Sequence, residues 1–209
     1  PQNIAFFPGP YSTWREIKTY GHYAYVVNEA AGGIQIINLA ALPSPVLSNY
    51  FFNGVSSSHT LHIDITKGFL YTYGSSNPQG GATVFDLKPD PYHPVLVGTY
   101  SESGYIHDGY VDNDTLYACH INAGYFSMVD MHDKANPQVL GTMDTPGFFT
   151  HSSWLLNDRK HLLTTDERRP SFVTAYDVSD PSDIRETDRI ATSPNGRSSI
   201  AHNIHVLND

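Results

Sequence analysis

The stretch GATVFDLKPDPYHPVL, residues 81–96, decides the fold, because the chain contains three further versions of it. They are GIQIINLAALPSPVL (33–47), YFSMVDMHDKANPQVL (125–140) and FVTAYDVSDPSDIRE (172–186). The acidic or amide position of each phrase is Asn38, Asp86, Asp130 and Asp177, at spacings of 48, 44 and 47 residues. A period of about 40–50 residues built from short strands is the signature of a β-propeller blade.

Each unit reads as four strands. The second opens with HTLHIDI, turns at TKG and returns as FLYTYG. It then loops through SSNPQGG, continues as ATVFDL, turns at KPDPYH and closes as PVLVGTY. Aligning the units places Ile17, Ile63, Val111, Leu155 and Val206 in one apolar column. Tyr25, Tyr71, Tyr117 and Leu163 form a second, as expected if blades pack face to face. The Asp and Pro turns have a plain structural account, since Asp bonds its own backbone and Pro pre-sets φ. Their carboxylates also suit calcium, but no EF-hand spacing accompanies them. The opening PQNIAFFPG matches a closing strand and the final AHNIHVLND an opening one. The expected fold is therefore an all-β propeller, a single domain over 1–209, with four blades and two half-blades excerpted from a longer disc.

Composition agrees. Aromatic residues make up 12% of the 209, with 14 Tyr, 16 Gly and 14 Pro, which suits strands and turns over helices. A formal charge of −9 repels phosphate backbones and anionic headgroups, so nucleic acid is excluded as a partner class. The single cysteine, Cys119, has no internal disulfide partner and lies in the strand-like run TLYACH, where a small apolar residue packs. No apolar run approaches the roughly 18 residues of a membrane span. The opening residues lack the basic start and apolar core of a signal peptide.

The phrases STWREIKTYGHYAYVVNEAAGGIQIINL (12–39), THSSWLLNDRKHLLTTDE (150–167) and AHNIHV (201–206) resemble the LVIVD-repeat, choice-of-anchor B family of bacterial secreted proteins. Trp14, Arg15, Glu16, Ile17 and Lys18 stand where that family has W-R-[DE]-I-K, and Asp166 and Glu167 where it has D-E. The resemblance implies a propeller fold and an extracellular or cell-surface location. It implies partners among envelope or surface proteins or glycans, and leaves the chemistry undefined.

Four histidines recur at one repeat position. His59, His107, His151 and His202 each stand just before the first strand of a unit, where the first unit has Thr13. Duplication of an ancestral blade copies such a residue whether or not it works, so the bland account is that each imidazole bonds a neighbouring blade. The sharper account rests on topology: the entry to the first strand and the loop between the second and third strands open on the same face of a propeller. Imidazoles gathered there form the donor set of a divalent transition metal. The same loops bring Glu29, His120, Asp166 and Glu167, which can act as ligands or orient the imidazoles. A further column, Glu16, His62, Tyr110, Trp154 and His205, has the mixed chemistry of packing. His22, His93, His132 and His161 fall at turns. Arg168 and Arg169 are expected to pair with the neighbouring Asp166 and Glu167.

No G-x-S-x-G elbow, phosphate-cradling loop or dinucleotide fingerprint is present, and His151 beside Ser152 and Ser153 is no catalytic pair, because strand neighbours point to opposite faces. Two functions follow. One is an extracellular binding or scaffold module presenting loops on a rigid disc. The other is a metal-dependent enzyme, an oxidase or hydrolase, in which the four histidines hold the ion and Glu29 or Asp166 serves as base or orients the ligands.

Overall fold

A computed structural model of the chain describes residues 3–44, 46–51, 54–194 and 198–207. For 46–51 it describes the backbone alone. Pro1, Gln2, Pro45, Asn208 and Asp209, which belong to phrases quoted above, lie outside the described residues. The regular elements among the described residues are sixteen β-strands, with almost no helix, and no helix is long and apolar enough to cross a membrane. The fold is a β-propeller of four-stranded antiparallel blades, each with its strands in chain order.

The chain divides into two compact units, 1–102 and 103–209, of two blades each. In the first unit, one blade comprises β1 (Arg15–Tyr20), β2 (Tyr23–Asn28), β3 (Ile34–Asn38) and β4 (Val46–Phe51). Its neighbour comprises β5 (Thr60–Asp64), β6 (Phe69–Tyr73), β7 (Ala82–Asp86) and β8 (Val95–Tyr100), and β1 packs against β5. The core between these blades joins Tyr25, Val27, Ile34 and Ile36 to Leu61, Ile63, Leu70 and Phe85. Each such side chain contributes roughly 1.5–3 kcal/mol by leaving water.

The second unit repeats the plan. One blade has β9 (Asp108–Asp112), β10 (Thr115–His120), β11 (Tyr125–Asp130) and β12 (Gln138–Asp144). The other has β13 (Thr150–Leu155), β14 (His161–Asp166), β15 (Phe172–Asp177) and β16 (Arg185–Ala191), and β9 packs against β13. Tyr117, Phe126 and Met128 of the first meet Leu155, Leu162, Tyr176 and Val178 of the second. The ring of Phe126 stands edge-on to Tyr176 at 5.0 Å. β16 is exposed along its whole length and reads RETDRIA, so charged side chains guard the unpaired edge.

The repeat seen in the sequence has a bond-by-bond counterpart. Asn38, Asp86, Asp130 and Asp177 each accept, through Oδ1, the N–H of the residue two positions on, at 2.9, 2.9, 2.8 and 3.0 Å. The following residue, Leu39, Leu87, Met131 or Val178, donates its N–H to the hairpin of the first two strands, at His22, Gly68, Asp114 or Lys160. Three carboxylates and one amide therefore close the equivalent turn in every blade. Each blade also carries a bulge between its third and fourth strands, opposite Ile37/Asn38, Val84/Phe85, Met128/Val129 and Ala175/Tyr176.

Two expectations require correction. Ile63, Val111 and Leu155 of the apolar column are buried, but Ile17 is 54% exposed. The two half-blades are not strands over 3–10 and 198–207, since a strand requires a ladder partner. Side-chain bonds hold both segments instead. The Gln35 amide donates to the Pro8 carbonyl at 3.2 Å, and Ser152 Oγ accepts the Ile204 N–H at 3.2 Å.

Candidate metal centre

In the second unit the repeat-position histidines meet. His107 immediately precedes β9, and its N–H donates to the Cys119 carbonyl at 2.9 Å. His151 is the second residue of β13. Packing β9 on β13 brings the two imidazoles to 4.6 Å between ring centroids, edge to face. The ring centroid of His202 lies 3.9 Å from that of His151. His107 and His151 are 9% and 3% exposed, whereas His202 opens to solvent.

A backbone irregularity aims His151. The pairing of β13 with β14 passes from Thr150 opposite Asp166 to Ser152 opposite Thr165, which places a bulge at His151. Bulges re-aim side chains and concentrate near functional sites. This one is particular to the fourth blade, because the first-to-second-strand ladders of the other three run without a shift. Strict alternation thus fails at His151, which separates it from the role of Ser152 and Ser153. Those two are structural: Ser152 Oγ donates to the His202 carbonyl at 3.2 Å and Ser153 Oγ to the Tyr117 carbonyl at 3.0 Å.

Glu167 completes the cluster. It is the first residue beyond β14, and its N–H donates to the Phe149 carbonyl at 3.1 Å. Its Oε2 is 3.7 Å from His151 Nε2, and its Oε1 is 3.5 Å from His202 Nε2. One ligand atom each from His107, His151 and Glu167 fall within 4.8 Å of one another. Zinc takes nitrogen at about 2.0–2.1 Å and carboxylate oxygen at about 2.0–2.2 Å, so tetrahedral ligand atoms stand about 3.3 Å apart. The ligand atoms must therefore draw together by up to about 1.5 Å to hold such an ion.

Two other sequence candidates support the cluster without entering it. Asp166 is fully buried and accepts three hydrogen bonds. Thr145 Oγ1 donates to Oδ1 at 2.6 Å, the Phe149 N–H to Oδ1 at 3.0 Å and the Gly147 N–H to Oδ2 at 2.9 Å. It therefore fixes the loop that leads into His151. Gly147 is required there, because a Cβ would lie 2.7 Å from Asp166 Cβ. His120, at the end of β10, donates from Nδ1 to the Tyr105 carbonyl at 3.3 Å and accepts from Ser127 Oγ at 2.9 Å. Burial lowers its pKa to about 4, so it stays neutral and fastens the segment that carries His107.

His202 is seated by hydroxyls that sequence reading gave no role. Its carbonyl accepts from Ser152 Oγ and from Thr165 Oγ1, and the Ala201 N–H donates to Ser171 Oγ at 2.6 Å. Its Nδ1–H donates to Asn203 Oδ1 at 2.5 Å, which turns Nε2 toward Glu167. Three members of the mixed column pack together, with Trp154 against Tyr110 at 5.3 Å and His205 at 5.7 Å, whereas Glu16 pairs with Lys18 at 2.8 Å.

In the first unit, His59 Nδ1 donates to Glu29 Oε1 at 2.7 Å, with the indole of Trp14 6.2 Å from the imidazole. Glu29 follows β2 as Glu167 follows β14, and His59 enters the next blade as His202 does. The Glu–His couple is thus the repeated element. In the second unit His107 and His151 elaborate it, whereas Thr13 stands in the first unit where His151 stands in the fourth blade.

The expected pairing of Arg168 and Arg169 with Asp166 and Glu167 is not found. Asp166 is turned into the core and saturated by Thr145, Gly147 and Phe149, and Glu167 faces two imidazoles.

No family model and no curated protein sequence matches this chain. Solved structures resemble it. A protein from Lactobacillus plantarum superposes with a TM-score of 0.67 at 13% identity, over 88% of this chain and 56% of its own. A candidate 6-phosphogluconolactonase from Bacteroides fragilis does so at 0.64 and 13%, over 84% and 56%. The periplasmic gluconolactonase of Pseudomonas aeruginosa gives 0.62 and 14%, again over 84% and 56%. At such identities the likeness shows the fold alone, and the chain spans somewhat more than half the length of each.

Proposed function

We propose that this chain carries the catalytic centre of a metal-dependent hydrolase acting on small esters or lactones, with a divalent transition metal held by His107, His151 and Glu167 and flanked by His202. One observation carries the reading: two imidazoles and a carboxylate from two packed blades fall within 4.8 Å of one another at a bulge that aims the most buried of them. Two imidazoles and one carboxylate form a known hydrolytic zinc set that leaves a coordination position for water or substrate. A metal there polarises a carbonyl and lowers the pKa of bound water toward 7. Two of the structural neighbours are named as lactonases, an activity that such a centre suits. His107 and His151 act as ligands, Glu167 as ligand and link to His202, and Asp166 and His120 as positioning residues. The LVIVD-repeat resemblance, carried by Trp14–Lys18 and Asp166–Glu167, supports a secreted, cell-surface setting.

Elemental analysis of the whole protein purified without added metal, with hydrolysis of glucono-1,5-lactone followed before and after chelation, tests this. About one metal per chain is expected, lost with activity in a His107→Ala/His151→Ala variant. Substoichiometric metal, or metal unchanged in the variant, overturns it and returns the histidines to fastening blades of a binding module.

A further inference from the structure

We infer that Arg168 and Arg169 form the anion-recognition element of this centre, so that its substrate carries a carboxylate or phosphate group. The location of the chemistry rests on the metal-centre reading, whereas the availability of the two guanidiniums does not. Both residues are exposed, and they follow Glu167 directly on the loop between β14 and β15. The carboxylates nearest in sequence are committed: Asp166 to three donors in the core and Glu167 to two imidazoles. Among the described residues neither arginine has a hydrogen bond or an ion pair.

That condition sets them apart. Arg159 pairs with Asp112, Arg185 with Asp183 and Arg189 with Glu186. Arg15 donates to the Pro10 carbonyl, so among the described arginines only Arg168 and Arg169 are uncommitted, in a chain with 21 acidic residues against 12 basic ones. A planar guanidinium presents parallel N–H groups that match the two oxygens of a carboxylate or phosphate, and such charge-assisted bonds are about twice as strong as neutral ones. The arginines stand one and two residues from a ligand of the centre, so an oxyanion they hold keeps the rest of a small molecule beside the metal. Cyclic esters of sugar acids that also carry a phosphate or a second carboxylate fit that spacing of charge and reactive carbonyl.

Isothermal titration of the whole protein with 6-phosphogluconate, gluconate and glucose provides the test, repeated on an Arg168→Gln/Arg169→Gln variant whose metal content is measured in parallel. Both anions are expected to bind and glucose not. The variant should lose about tenfold or more in affinity for the anions with its metal content unchanged. The ranking of 6-phosphogluconate against gluconate distinguishes phosphate from carboxylate recognition. Equal anion affinity in parent and variant, glucose binding as tightly as gluconate, or no binding of either anion overturns the inference. A parent without metal whose anion binding still depends on the arginines would sink the metal reading and leave this one standing.

Discussion

Replacing Asp166 by asparagine should cost about 3 kcal/mol of stability and loosen the metal centre with it. The carboxylate is fully buried and accepts from Thr145 Oγ1, the Gly147 N–H and the Phe149 N–H at 2.6, 2.9 and 3.0 Å. Hydrogen bonds to a charged group are worth roughly 1.5–3 kcal/mol each, and leaving a buried donor unsatisfied costs about 1–3 kcal/mol. An asparagine keeps one oxygen for Thr145 and Phe149. Its amide nitrogen then faces the Gly147 N–H, setting donor against donor, and charge assistance is lost from the remaining bonds. Urea unfolding measures the change as a lower midpoint at unchanged slope. Because the loop from Gly147 to Phe149 delivers His151, the variant should also hold metal more weakly, whereas a stability effect remote from the site would leave metal content alone. A variant within about 0.5 kcal/mol of the parent would refute the placement of Asp166 as the anchor of this loop.

Two further outcomes follow from the same structure. Below pH 6.5 the unfolded chain protonates His120, while burial holds the folded form neutral down to about pH 4. Stability is therefore lost as pH falls through that window, by on the order of 3 kcal/mol. Denaturant titrations at pH 7 and pH 4.5 should show a smaller acid loss in a His120→Gln variant, and identical losses in the two proteins would contradict the assignment. Gly147→Ala should cost about 1–3 kcal/mol by overpacking, since its Cβ would meet Asp166 at 2.7 Å. A neutral result in the same unfolding assay would mean that the loop accommodates it.

The blade repeat was legible because its cause is local. Asn38, Asp86, Asp130 and Asp177 each bond a backbone N–H two residues away, so one short phrase contains both partners. The gathering of His107, His151 and His202 was partly legible, since repeat equivalence gives equivalent places at the entry to each first strand. The bulge at His151 was not, because register is settled between two strands and leaves no mark within either. What holds Asp166 was not legible for a related reason. Its donors lie 17, 19 and 21 residues away, on a loop that sequence gave no cause to place over it. The arginines were misassigned, because adjacency in sequence suggested pairing while the fold turned the carboxylate inward. Ile17 looked like a core residue by its column, and burial depends on a neighbour that a column cannot show.

X-ray absorption at the zinc edge, on the whole protein loaded with one equivalent of zinc, tests the centre most directly. Two imidazole nitrogens at about 2.0–2.1 Å and at least one carboxylate oxygen at about 2.0–2.2 Å are expected, with the imidazole signal halved in a His151→Ala variant. A shell of oxygen alone, or an imidazole signal that the variant leaves intact, would show that His107, His151 and Glu167 do not hold the metal.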